Sequence, residues 1–390
     1  MALWQGQRQQ DIPPEDDVSE YIQRNRKTTR KGEPFYVFRA AGSDYEIGLA
    51  KGRQMAADME AVWEVFRPNM ETWVSSAPDE PRRTCEWLRD NLEKIAPWMA
   101  EQLRGAADGS GVSIERVYLL NHYGVLWVAN GIFCSSVALR ETEAGPILGQ
   151  NLDIGSDDNY FVEELRPSEG RATLSDGMAA MCWSPIGINA AGLAVGSSML
   201  CSPTRQGAKP IPNGVPFHFL PRLVLRSCAD VNEAVEYLKS LTPVIPPGGG
   251  YQLNLVDKAG NMAVVDKSED RTVVRQCADG LNFTTNCSLD AEFESWRTGS
   301  QPTDADYLAR AESIREHYAA TNGDLTVEWL KGLLRGHEGP GRLCRHGEME
   351  IGHGGYSRLS AVCYPRDLKM EITNGWPCVN EYQEFSLKSL

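Results

Sequence analysis

No apolar run in this 390-residue chain approaches the ~20 residues needed to span a bilayer. The first ten residues, Met-Ala-Leu-Trp-Gln-Gly-Gln-Arg-Gln-Gln, contain no apolar stretch of the export-signal kind. The ten cysteines show no regular spacing, so no disulfide framework is read from them. Without an export signal they are expected to be mostly reduced, and the compartment cytoplasmic. Positive charge is also short. Lys and Arg number 39 against 53 Asp and Glu, a net charge of -14, which argues against nucleic acid or an anionic membrane as partner. There is no internal repeat and no low-complexity run. The glycine-rich stretch 243–250 lacks the Gly-Lys-Ser/Thr ending of a phosphate-binding loop and reads as a plain loop.

What is present is ordinary for a globular protein: 42% hydrophobic and 24% charged residues, in a chain long enough for one large domain or two small ones. Residues 1–33 are polar, acidic at 11–17 and basic at 24–31, and read as an N-terminal arm. A strand is expected at 35–39, then helices over 43–72 (with Ser43 or Asp44 as N-cap), 80–103 and 113–127, with a glycine-rich break at 105–112. From residue 134 the texture changes to short β runs: 134–140, 147–152, 179–184, 192–198, 251–257, 261–266, 271–276 and 281–285. Stretch 185–192 reads as a turn between strands, and 257–261 as a hairpin turn. Helices are expected within 215–241, at 303–319 and at 325–335, and a last β pair at 358–364 and 368–373. Helices followed by many strands with helix pairs between them point to an α+β layered domain.

The stretch Phe133 to Asp153 carries the chemistry. It reads as a hairpin turning at 143–146, with Cys134 at its start and Asn151 and Asp153 at its end. A cysteine at a strand start is often only a small buried hydrophobe. Here Ser135 and Ser136 follow it, and Gln150, Asn151 and Asp153 return beside it. Cys-Ser-Ser followed by Gly-Gln-Asn-Leu-Asp (149–153) resembles the penicillin (isopenicillin N) acyltransferase family of N-terminal-nucleophile cysteine hydrolases. Thr-Thr-Asn (284–286), His337 with Cys344-Arg345-His346, Ser360-Ala361-Val362 and Gly375-Trp376-Pro377-Cys378 resemble further family segments in the same order.

The resemblance implies a four-layer αββα sandwich and self-cleavage between Phe133 and Cys134. Residues 34–133 would form a short helical subunit, and residues 134–390 the β-rich remainder of the same domain, the two fragments staying associated. Cys134 is then the nucleophile and its freed amino group the base. Asp153 holds that amino group, Asn286 donates to the oxyanion and Arg358 supports the site, with Asn151 and Ser135 beside it. Phe133 departs from the glycine that often precedes the family's nucleophile. The implied substrate is a small amide or N-acyl compound, resolved by water or, with acyl-CoA as donor, by an amine; hydrolysis is the favoured reading. No cofactor is expected, and homo-oligomerisation is left open. Two other readings stand. His337, Cys344, His346 and His353 form the densest His/Cys cluster, but their spacing lacks the paired loops of structural zinc sites, and no metal is expected. An unprocessed enzyme pairing Cys134 with His337, His346 or His353, or a ligand-binding relative, is the remaining alternative.

Overall fold

The computed structural model describes residues 35–128, 134–154, 160–201, 214–244, 249–268, 271–276, 279–290, 302–321, 323–346 and 356–388. The arm at 1–33 and Phe133 lie outside them. Two sheets form the centre. One has eight strands in the order β1 (Val37–Gly42), β4 (Tyr160–Pro167), β5 (Thr173–Met178), β6 (Ile186–Asn189), β7 (Leu193–Cys201), β10 (Gly249–Asp257), β11 (Met262–Lys267), β12 (Thr272–Gln276). Only the β1–β4 pairing in it is parallel; the others are antiparallel. The second sheet is antiparallel, in the order β13 (Leu281–Thr284), β2 (Ser135–Leu139), β3 (Ile147–Ile154), β14 (Tyr356–Tyr364), β15 (Lys369–Asn374), β16 (Gln383–Ser386). A short parallel pair, β8 (Gly214–Pro216) and β9 (Thr242–Val244), stands apart.

The sheets face each other through polar as well as apolar groups. Gln150 of β3 donates to Ser197 O (2.9 Å) and accepts from Ser197 N (2.7 Å). Ser198 of β7 donates to Thr284 of β13 at 3.1 Å. Helices α1 (Asp44–Gln54), α6 (Leu220–Ser227) and α7 (Val231–Ser240) cover the eight-stranded sheet, with α4 (Pro97–Ser110) packed on α1. Helices α8 (Pro302–Ala320) and α9 (Val327–Arg335) cover the other, where Ala311, Ile314, Leu330 and Leu334 join Val137, Leu139 and Ile147 in one apolar cluster. The architecture is the four-layer αββα sandwich. Among the described residues no helix is long and apolar enough to cross a membrane.

Several elements differ from the sequence expectations for identifiable reasons. The helix expected over 43–72 is two: α1, with a Ser43–Glu46 capping box, and α2 (Ala56–Ser76), separated at Met55. That expected over 80–103 is also two, because Pro97 starts α4 after α3 (Glu80–Ile95). The glycine-rich stretch 105–112 is mostly helix. A Cβ on Gly105 would lie 2.2 Å from Tyr45 O, and one on Gly48 2.0 Å from Gln102 O, so these glycines let α1 and α4 meet backbone to backbone. Only Gly111, at φ 73°, ends the helix. The region 185–192 contains β6, whereas 179–184 is not a strand. There the side chain of Asn121, on α5 (Ile114–Val128), donates to Ala180 O (3.1 Å) and accepts from Cys182 N (2.7 Å), replacing a strand partner.

Candidate active site

Strands β2 and β3 form the expected hairpin, with Ser135 opposite Asn151 and the turn closed by Thr142 and Gly145, whose φ is 81°. Side chains alternate along β3, so neighbours serve different layers. Gln150 reaches the facing sheet, while Asn151 donates to Leu334 O and Leu343 O, both at 2.9 Å, and moors β3 to α9 and the loop after it. Cys134, at the head of β2, is 1% exposed and sits in the main core cluster.

A buried ring of charge surrounds it. Arg310 of α8, 0% exposed, spreads its guanidinium over five groups. One terminal nitrogen donates to Cys134 O and to Ser135 Oγ, both at 2.8 Å. The other donates to Thr285 O (3.1 Å) and Asn286 Oδ1 (3.0 Å), and Nε donates to Asp306 at 3.0 Å. Asp306 is shared with Arg345. Arg345 Nε in turn lies 3.8 Å from Asp153 Oδ2, while Ser357 donates to Asp153 Oδ1 at 2.6 Å and accepts from Arg345 N at 2.8 Å. The two arginines face two carboxyl groups, which reduces the cost of burying the cations.

Asn286 has φ 71°, a left-handed conformation that for a non-glycine residue costs on the order of 1 kcal/mol or more and is held only by its surroundings. One hydrogen of its amide goes to Met199 O at 2.8 Å; the second remains for another acceptor. Burial, reinforced by the charge of Asp153, pushes the Cys134 thiol well above its ordinary pKa. Burial also pushes Asp153 up to about 7, against the pull of Arg345, Ser357 and Arg310. At neutral pH the thiol of the intact chain is therefore protonated, next to a carboxyl group poised to exchange a proton.

The structure thus brings Cys134, Ser135, Asp153 and Asn286 together, with Asn151 anchoring the strand. Among the described residues, no contact joins Arg358 to them. A register shift between Ser357 and Leu359 places Arg358 on a bulge, where its guanidinium lies 5.7 Å from the centre of the Tyr356 ring. Among the described residues, the cations that touch these groups are Arg310 and Arg345; Arg345 was named only as part of the Cys344-Arg345-His346 segment, and Arg310, Asp306 and Ser357 were missed. For Arg310 the sequence signal was the Asp306–Arg310 spacing, which resembles any exposed helical ion pair. A pairing of Cys134 with His337 or His346 gains no support from the structure. His337 and His346 stack on each other, and His346 Nε2 faces Cys344 and Cys378 at 3.5 and 3.1 Å. His353 lies outside the described residues.

Comparison with known proteins adds context. No curated protein matches the chain. Among solved structures, it is similar to a C2A mutant of the conjugated bile acid hydrolase from Clostridium perfringens (14% identity, 65% of this chain and 96% of that one, TM-score 0.45). It is also similar to penicillin V acylase from Agrobacterium tumefaciens (14%, 66% and 87%, 0.42). A third is the Caenorhabditis elegans ortholog of N-acylethanolamine-hydrolyzing acid amidase (15%, 60% and 93%, 0.39). Residues 140–336, just over half of the chain, match the family described as acyl-coenzyme A:6-aminopenicillanic acid acyl-transferase. The chain belongs to that family.

Proposed function

We propose that this protein is a self-processing cysteine enzyme that cleaves the chain between Phe133 and Cys134 and then hydrolyses small amide or N-acyl compounds through a Cys134 acyl-enzyme. The observation that carries the reading is the convergence of Asp153, Asn286 and the Arg310 fork on a buried cysteine at a strand start.

In the intact chain the Cys134 thiol gives its proton to Asp153 and attacks the carbonyl of residue 133. The S–C bond forms as the C–N peptide bond breaks, and the proton goes to the departing amine. Water then hydrolyses the thioester, leaving a carboxylate on the first fragment and a free thiol and α-amine on Cys134. A free α-amino group titrates near ~7.7, so it can take the thiol proton at neutral pH. The thiolate, which near ~8.5 would otherwise be scarce, becomes available. Asp153 then faces an ammonium rather than a peptide nitrogen. Asn286 offers its second amide hydrogen to the oxyanion, an interaction worth roughly 3 kcal/mol in such sites. Arg310 is a positioning residue that ties Cys134 O, Ser135 and Asn286 to one guanidinium. The fragments stay associated through the β1–β4 ladder and the buried contacts of Lys51 with Glu163, Asp44 with Arg226 and Gln102 with Arg222.

The family's name favours a second acceptor: an amine, with acyl-CoA as the donor. Both routes share the acyl-enzyme, so trapping it with and without an added amine separates them. The first test is the denatured mass with N-terminal sequencing. Two pieces are expected, one starting Cys134-Ser135-Ser136, and Cys134→Ala is expected to remain whole. A single wild-type chain, or a Cys134→Ala protein cut at the same bond, would sink the reading.

A further inference from the structure

Outside the Cys134 site, one cluster unites residues far apart in sequence. Cys344 and His346 lie on the loop after α9, and Cys378 in the tight turn after β15. The two sulfurs and an imidazole nitrogen lie within 4.8 Å of one another. His346 Nε2 is 3.5 Å from Cys344 Sγ and 3.1 Å from Cys378 Sγ. A zinc ion with legs of about 2.3 Å to sulfur and 2.0–2.1 Å to nitrogen, at tetrahedral angles, holds S and N roughly 3.6 Å apart. The cluster has nearly that shape already.

Hydrogen bonding alone accounts for it poorly. A neutral imidazole nitrogen serves as donor or acceptor, once, yet two sulfurs converge on this one. A divalent cation answers both, and two thiolates would neutralise it. The surroundings also hold the ligands still. The His346 ring is stacked between Trp376 (centroids 4.0 Å apart, planes 17°) and His337 (5.3 Å, 22°). Cys344 N donates to Gly336 O at 2.8 Å, and Val379 N and Asn380 N both donate to Trp376 O, closing the turn around Cys378. Cys344 is buried while His346 and Cys378 are partly exposed, which leaves an approach for an ion.

We propose that Cys344, His346 and Cys378 form a zinc site that fastens the Arg345 loop to the turn at 376–380. This departs from the sequence expectation of no metal, and Cys378 is the ligand that spacing did not suggest. Arg345 lies between two of the ligands, so the site would hold its guanidinium against Asp153 and Asp306 from behind. The fourth position is left to water.

The test uses the full chain, purified without chelator, incubated with zinc and desalted. One zinc per chain is expected by elemental analysis, both in wild type and in Cys134→Ala, which separates this site from the nucleophile. Cys344→Ser and Cys378→Ser are each expected to weaken zinc binding by at least the roughly 10–100-fold that losing an outer-shell partner costs. Cobalt loading is expected to give thiolate-to-cobalt charge-transfer absorption that Cys378→Ser abolishes. Should Cys344→Ser not fold, the partly exposed Cys378→Ser carries the test. No retained zinc in wild type, undiminished zinc in the serine variants, or a Cys344–Cys378 disulfide in its place would each overturn the proposal.

Discussion

Glu163 on β4 and Asp153 on β3 are both fully buried carboxylates, and their surroundings push them in opposite directions. Burial raises the pKa of each. At Glu163 two cations outweigh it: Arg222 at 2.6 Å and Lys51 at 3.1 Å hold the carboxyl below its ordinary range. At Asp153 the nearest cation stands 3.8 Å away and is shared with Asp306, so burial wins and the group rises to about 7. The first arrangement binds α1 and α6 to the sheet and fixes one protonation state. The second keeps a proton movable near neutrality, which a structural ion pair has no use for.

Four changes test that contrast, from the largest expected effect to the smallest. Asp153→Asn is expected to slow cleavage before Cys134 by about 10²–10⁴-fold, followed as fragment appearance on a denaturing gel, with little loss of folding stability. Glu163→Gln is expected to do the reverse. Leaving Lys51 and Arg222 buried without their anion costs about 3–5 kcal/mol in denaturant unfolding, while the cleavage rate of the surviving folded protein holds. Arg310→Lys keeps the charge but loses the fork, and is expected to reduce the cleavage rate by roughly 10–100-fold with Asn286 no longer clamped. A cleavage rate within twofold of wild type would show that charge alone suffices there.

The smallest effect is in pH dependence, best read in the uncut Cys134→Ala chain. The folded pKa of Asp153 lies above its unfolded value, so its contribution is fully present below about pH 4 and is lost as pH rises toward 7, by about 1–4 kcal/mol. Glu163 contributes with the opposite sign, gaining above its unfolded pKa and losing as pH falls. Adding Asp153→Asn is therefore expected to make the double variant progressively more stable than its parent from pH 4 to 7. A constant difference would place the proton elsewhere.

The hairpin that presents Cys134 was legible because everything it needs is local: β-forming runs, a turn with Gly145 and polar residues at one end. Asn286 and Asp153 were legible only through resemblance to a family. Arg310 was not, because Asp306-Tyr-Leu-Ala-Arg310 on α8 reads as an ordinary solvated helix, and only the fold shows that this arginine is 0% exposed. Strands β4 and β5 were missed for a related reason. Glu163, Glu164, Arg166 and Asp176 interrupt the apolar pattern of β sequence, since their partners come from helices, from Arg39 of β1 and from backbone groups outside their own strands. The glycines at 105 and 109 misled in the other direction, because a close helix contact and a break look alike in one dimension.

The ring of charge around Cys134 also implies a schedule. Cys134 is joined to its surroundings through Arg310 and, by way of Asp306 and Asp153, through Arg345. Arg345 is synthesised about 210 residues after Cys134, roughly 10–40 s later at ordinary elongation rates. Until then Arg345 cannot brace Asp306 and Asp153, and the ring of charge behind the cysteine is incomplete. On the proposed mechanism, the parts made last would license the cut. If the bond before Cys134 is cut as proposed, a nascent chain stalled or truncated before residue 345 is expected to keep it intact, and the two halves would separate covalently only after folding together.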